Sequence, residues 1–532
     1  MFQYEPFTPG LDALRLLVIL PRASPKDREI ACELHNRTFG SKPEYEALSY
    51  TWGTKPATKT IKINGEPFLV RNNLYSALQH LQLKTPRTLW VDAICINQDD
   101  ISERNWQVSL MAFVYTRAER VLAWLGPSPG RLQSGFFSDE HWRAISHNPY
   151  WTRLWIIQEL VLAYEVVFYL GKCSFGWDKV QSTMNPEWEA LEGRSDAIKQ
   201  LRDERYTSTQ RLENLVELLQ KAQCTEKRDK IYGFLGLVYD GSDDAIIVDY
   251  KIGFAQLYAQ VIHFHQTTSA PLDSQFPNDI DRAAKLVKFS ELIQHLLGGA
   301  VAKEVHRKMD VNWPKTFYTA RGFIAGEILR LGTTPAEVIS SIKSDRAWKQ
   351  TITEAYRRSP ELQRVRNAYA VFSQTMLGWD KKHLKKIKNL DSSSSFGYQF
   401  DVGDEALEFD EDDIGTPEAS EARLYVGTKA MLGVAPPNTR VGDLVCTFLG
   451  CNINLVLRKV SKSEDRFVLV GRAERYREEN EDLAMETEEE NTIAYDLSRL
   501  TLDEWETAAE DPSFQNPINL KIDLETLQKL TS

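Results

Sequence analysis

The run LWVDAICINQDDISERNWQVSLMAFVYTRAERVLAWLG, residues 89–126, decides the fold. It opens on Leu89, Trp90 and Val91, which read as a buried strand, and continues as a loop lined by an acid, a thiol and an amide pair: Asp92, Cys95, Asn97 and Gln98. Asp100 with Glu103 three residues on makes a capping-box-like start to a helix, whose apolar face is Val108, Met111, Ala112, Tyr115 and Ala118. Residues 120–126, RVLAWLG, return as another buried strand. Two buried strands joined by a covering helix lie parallel in one sheet, so the pattern is α/β.

Working upstream, 14–20 (LRLLVIL) and 30–36 (IACELHN) read as a hairpin, and 45–53 (YEALSYTWG) as a buried strand that stops at a glycine. Ligands of open α/β sheets gather at the carboxyl ends of strands, which makes Ser49, Tyr50, Trp52 and Gly53 candidate binding residues. Residues 60–64 and 67–70 flank Gly65 as a second hairpin, and 73–83 follow as an amphipathic helix.

Downstream, a polar insertion at 127–147 leads to NPYWTRLWIIQEL, 148–160, and then to a fourth strand at 165–171. Asn148 is a good N-cap and Pro149 suits the first helical position, so one helix is expected to open there and run through Glu159. At helical spacing Glu159 shares a stripe with Trp155, Ile156, Leu162 and Ala163. A carboxylate among apolar residues is costly, so it is either tied to a cation from another segment or kept for chemistry.

Bulk properties narrow the classes. A chain of 532 residues exceeds one core and calls for several domains. A formal charge of -11 argues against a nucleic-acid partner, because that affinity comes from Lys and Arg neutralising phosphates. Six scattered Cys without a CxxC pair suit reduced thiols, and no apolar stretch is long enough for a membrane span, so a soluble cytoplasmic protein is expected. No GxGxxG after a strand, no GxxxxGK[ST] loop, no GxSxG elbow and no HExxH is expected, nor any set of metal ligands or bound cofactor.

Beyond residue 237 the period becomes helical, with helices expected at 254–265, at 285–297 and after Thr334. The basic run 381–388 reads as a solvated helix face, and the acidic stretch 401–421 as part of a linker. Short strands with turn signals over 422–475 suggest a small antiparallel barrel. The expected organisation is an α/β domain at 1–240, a helical region at 241–390, an acidic flexible linker at 391–421, a β domain at 422–475 and an acidic tail with short helices at 476–532.

Four ordered blocks, YEALSYTWG, the 89–126 run, YWTRLWIIQEL and CTEKRDKIYGFLGL (224–237), resemble the heterokaryon incompatibility (HET) domain of filamentous fungi. That resemblance implies a fungal protein of non-self recognition and programmed cell death. The HET domain is in turn similar to TIR domains, which implies a flavodoxin-like parallel sheet, although the 127–147 insertion is longer than TIR domains carry. In active TIR domains a helix glutamate works in cleavage of NAD at the nicotinamide–ribose bond, and Glu159 is the matching position. Bottom-up the chemistry is coherent: one carboxylate can stabilise an oxocarbenium-like ribose, and nicotinamide leaves without a general acid. Trp155, Tyr50 or Trp52 could stack on a ring of the substrate, while Asp92, Asn97 and Gln98 could orient ribose hydroxyls. NAD or a related nucleotide is thus the expected small-molecule partner, with self-association or another incompatibility protein as the macromolecular one. The alternative is a non-enzymatic assembly module that signals through protein partners.

Overall fold

A computed structural model describes residues 2–531 except 9–11, 23–28, 131–136, 184–193, 206–209, 239–245, 270–278, 307–316, 380–382, 385, 391–398, 403–404, 408–420, 449–452, 460–466 and 477–516. The chain divides into two compact units, one of residues 1–257 with 264–268 and one of 258–263 with 269–532. Most of the expected acidic linker and tail falls outside the described residues.

The first unit is built on a nine-stranded mixed sheet. Its first half comprises β1 (Ala13–Ile19), β2 (Ala31–Thr38), β3 (Glu46–Tyr50), β4 (Lys59–Ile63), β5 (Glu66–Val70), α1 (Asn72–Leu81) and β6 (Arg87–Trp90). Then come α2 (Asp92–Cys95), α3 (Ile101–Ser109), α4 (Met111–Arg117), β7 (Val121–Trp124), α5 (Asp139–Ser146), α6 (Trp155–Val161), β8 (Val166–Leu170) and β9 (Cys173–Gly176). The helices α7 (Trp177–Thr183), α8 (Arg194–Asp203), α9 (Leu212–Leu219) and α10 (Asp229–Leu235) complete it.

The expected parallel sheet is its centre: β3 pairs parallel with β6 and with β7, and β7 with β8. In chain order these strands lie second, first, third, fourth, the doubly wound arrangement of flavodoxin-like folds. The edges differ from an all-parallel reading because hairpins extend them. β1 runs antiparallel to β6 and β2, and β9 antiparallel to β8. The β4–β5 hairpin turns on Asn64 (φ 53) and Gly65 (φ 85), the two left-handed residues a tight hairpin requires.

The central strands are buried on both faces, as strands covered by helices must be; every residue of β7 is buried. Arg87 of β6 grips Glu46 of the neighbouring β3 through two bonds of 2.5 and 3.0 Å. Asp100 caps α3 as expected, accepting from the Ser102 and Glu103 amides at 2.9 and 3.1 Å. Glu103 does not complete the box. Its carboxylate is taken by the buried Arg15 (2.5 and 2.9 Å) and by the Asn97 amide (2.6 Å), a tertiary demand that outweighs the local one.

The second unit holds helices and an antiparallel ring. Phe317–Leu331, Arg423–Gly427, Leu432–Ala435, Phe467–Arg475, Asn454–Lys459 and Leu444–Phe448 pair in that order, and the last pairs back to the first. This is the expected small barrel with one strand supplied from within 241–390, where helices alone were expected. That strand runs 15 residues and shifts register at Ile324/Gly326 and Ile328/Arg330, which lets it serve two neighbours. Helices at Asp279–Leu296 and Pro335–Ser340 match the expected ones, the last capped by Thr334 (3.3 Å to the Glu337 amide), and so does the helix at Phe254–Ser269, whose residues divide between the two units.

Leu122 sits in β7 with 0% of its surface exposed. Leu122→Ala should therefore cost about 2–5 kcal/mol of unfolding free energy, read by chemical denaturation. A loss below about 1 kcal/mol would mean the centre of this sheet is loosely packed.

Candidate active site

The expected continuous helix from Asn148 is broken. Asn148 caps a turn, its Oδ1 accepting from the Tyr150 amide at 3.0 Å, but that turn is a 3-10 segment, Pro149–Thr152. Arg153 then extends (φ -72, ψ 142), because Gln223 pairs with this stretch: its amide donates to the Thr152 carbonyl at 2.6 Å and its carbonyl accepts from Leu154 at 2.8 Å. The α-helix starts afresh at Trp155. Every residue of α6 from Ile156 to Val161 is buried, so Glu159 lies in a helix enclosed all round rather than on one apolar stripe.

This placement brings Glu159 (2% exposed) to the carboxyl end of β3. Ser49 donates its hydroxyl to Glu159 Oε2, and the Ser49 oxygen also meets the Tyr150 hydroxyl at 2.7 Å. The Arg153 guanidinium stands 4.0 Å from Glu159 Oε2 while Nη1 donates to the Tyr50 carbonyl at 2.5 Å. The Tyr115 hydroxyl is buried beside the same carboxylate and helps to stabilise its charge. The cation that sequence reasoning sought in another segment therefore comes from the same block.

Next to this cluster the Trp52 indole donates to Asp92 Oδ2 at 2.7 Å, and the Ala93 amide to Asp92 Oδ1 at 2.7 Å. Gly53 follows in an exposed turn at φ 76, its carbonyl accepting from Arg71, whose guanidinium lies over the Trp52 ring at 5.4 Å. Ser49, Tyr50, Trp52, Gly53, Asp92 and Glu159 are thus gathered at the ends of β3 and β6. They lie beside the gap between β3 and β7 where the strand order reverses, the place where such sheets hold ligands.

Three candidates point elsewhere. The Trp155 indole donates to Asp229 Oδ2 at 3.1 Å, joining α6 to α10, and Asp229 also accepts from Tyr250 at 2.7 Å. Gln98 turns back to the Asp92 carbonyl at 3.0 Å. Asn97 lines a separate hollow of about 670 Å³ with Arg15, Glu103 and Trp106. Tyr150, Arg153 and Tyr115 were missed. An arginine and a tyrosine inside the aromatic block YWTRLW were the available signal, since each needs a partner when buried. Gly126, Ser128 and Gly130 spell GxSxG after β7, yet the Ser128 hydroxyl donates to the Gly130 carbonyl at 2.7 Å, so it makes no nucleophile elbow.

Electrostatically the site is tense. Burial pushes the Glu159 carboxyl up to about 7; the Arg153 charge and the Ser49 hydrogen bond pull it down, and the charge of Asp92 pushes it up again. Burial also raises Asp92, with Arg153 opposing. Arg153 stays firmly charged: burial disfavours its cation, but Glu159 and Asp92 together outweigh that. A carboxyl near 7 switches between neutral and charged forms at ordinary pH, the property expected of a working acid or base. Among the described residues no group of three or more His, Cys, Asp or Glu is arranged to hold a metal, and no helix is long and apolar enough to cross a membrane.

Residues 45–143 match the family described as heterokaryon incompatibility protein (HET). Over 86% of this chain and 92% of the relative, the sequence is 24% identical to heterokaryon incompatibility protein 6, OR allele, of Neurospora crassa. No solved structure matches.

The raised carboxyl makes a sign-definite prediction. Below the unfolded value near 4.5 Glu159 is protonated in both states, and as pH rises toward 7 the folded state alone resists ionisation, so stability falls. Glu159→Gln removes that loss, so its stability relative to the parent should rise by about 3 kcal/mol between pH 4.5 and 8, measured by denaturant unfolding. A pH-independent difference would place the carboxyl at an ordinary pKa.

Proposed function

We propose that this HET-domain protein acts in fungal heterokaryon incompatibility, the recognition of non-self that ends in programmed cell death, and that its α/β unit, TIR-like in function, hydrolyses NAD in the cytoplasm. The matched family and the incompatibility protein of Neurospora crassa support the first part. The observation that carries the second is Glu159, a buried carboxyl with a pKa near 7 at the carboxyl ends of the central strands.

In the reaction the bond between ribose C1′ and nicotinamide breaks with its electron pair leaving on nicotinamide, which departs neutral. The ribose passes through a positively charged state, and the Glu159 carboxylate offsets that charge at short range in a site with little water to screen it. Water adds to C1′ and releases a proton, giving ADP-ribose, nicotinamide and H⁺. Ser49 holds the carboxylate in place, Trp52 offers an aromatic surface at the entrance, and Asp92, held by Trp52 and Ala93, borders it. Glu159 is covered in this conformation, so substrate reaches it only when Arg153 or Tyr150 moves aside; self-association or another incompatibility protein is the partner we expect to drive that movement.

The same cover favours a second reading, in which Arg153 and Glu159 are a structural pair and the unit is an assembly module without catalysis. The two separate on one assay: purified protein at high concentration should release nicotinamide from NAD, and Glu159→Gln should lower the rate by about 100-fold or more. Equal rates in both proteins remove the catalytic assignment and leave assembly.

A further inference from the structure

Arg153 has far more donors than its surroundings use. A guanidinium carries five N–H groups in a planar fork. Here one nitrogen, Nη1, donates to the Tyr50 carbonyl at 2.5 Å, and neither Glu159, 4.0 Å away, nor Asp92 accepts a hydrogen bond from it. Its other nitrogens are not sealed away from water: the side chain keeps 17% of its surface exposed, against 2% for Glu159 behind it. An arginine placed only to neutralise Glu159 would close on it with paired bonds, as Arg87 does on Glu46 at 2.5 and 3.0 Å.

Arg71 repeats the arrangement along the same outgoing segment. Where Arg153 holds the carbonyl of Tyr50, Arg71 holds that of Gly53, and its plane lies over the Trp52 ring at 5.4 Å. Two partly accessible guanidinium groups thus border one strand end, with an aromatic ring between the carbonyls they grip. The acid beside them, Asp92, has one oxygen on the Trp52 indole and the other on the Ala93 amide, each at 2.7 Å, so both are already engaged.

We propose that Arg153 and Arg71 form a phosphate-reading pair at the mouth of this site, selecting nucleotides that carry a diphosphate over nucleosides that lack one. The proposal rests on the nucleotide reading above and adds what that reading leaves open, which part of the substrate the protein recognises. Guanidinium forks suit phosphate because each supplies parallel charge-assisted hydrogen bonds. Engaging a phosphate also draws Arg153 off its line to Glu159, so substrate holds open the site that assembly uncovers.

The test is equilibrium binding to the full chain by calorimetry, with ADP-ribose as the diphosphate probe and adenosine as the probe without phosphate. The parent protein should bind ADP-ribose at least about tenfold more tightly than adenosine, with an affinity that falls as salt rises. Arg153→Gln and Arg71→Gln should each weaken ADP-ribose by about tenfold or more and leave adenosine unchanged. Arg153→Lys, which keeps the charge and loses the fork, should lie between. Because Arg71 stands at the entrance and does not touch Glu159, Arg71→Gln keeps the test decisive if the Arg153 variants fail to fold. Equal affinity of the parent for both probes, or an unchanged preference in Arg71→Gln, would overturn the phosphate reading while leaving a nucleoside site intact. Binding of neither probe would overturn the nucleotide reading itself.

Discussion

A carboxyl group shut into the protein at the ends of a parallel sheet is the constraint on which the other features of this site depend. With 2% of its surface exposed, Glu159 gives up most of its hydration, and the compensation around it is incomplete: the hydroxyls of Ser49 and Tyr115 and an arginine 4.0 Å away. A fully paired carboxylate would be pushed to low pKa and a wholly apolar one to high pKa. Partial compensation leaves the group near 7, able to lose or hold its proton with little change of conditions.

The scaffold serves to keep that compromise in place. Strand order brings β3, β6 and β7 side by side, so that Ser49, Tyr50, Trp52 and Asp92 leave the sheet at one end. On the other side of the carboxyl, α6 can neither rotate nor slide freely. Gln223 pins the extended residues before it, and Asp229 holds the Trp155 indole in its first turn. Asp229 is itself raised to about 6 by burial, so the clamp that positions the helix shares the electrostatic character of the group it positions. The segment CTEKRDKIYGFLGL, separated in sequence from the site, thereby acts on it through packing.

Much of this was legible beforehand, and the reasons are physical. Strands buried on both faces read as continuous apolar runs, so β3, β6, β7 and β8 stood out, and the carboxyl ends of such strands pointed to Ser49, Tyr50, Trp52 and Asp92. Glu159 was visible because a charge among Trp, Ile and Leu violates its surroundings. What was hidden depends on contacts distant in sequence. Nothing local in NPYWTRLW announces that Gln223 will extend it, so the break before α6, and with it the aim of Arg153, could not be read. Glu103 leaving its box for Arg15, and Phe317–Leu331 closing a ring with strands of the 422–475 region, are the same kind of event. In each, a tertiary partner outweighs a local preference worth about 1 kcal/mol.

The account stands most directly on the ionisation of one side chain. Infrared difference spectra between the parent protein and Glu159→Gln, collected from pH 4 to 9, isolate the protonated-carboxyl band of Glu159. That band should persist well above pH 5 and disappear with a midpoint near 7. A band already lost by about pH 5, the range of an ordinary glutamate, would mean that Arg153 and Ser49 fully compensate the carboxylate, and the working group at the strand ends would have to be sought elsewhere.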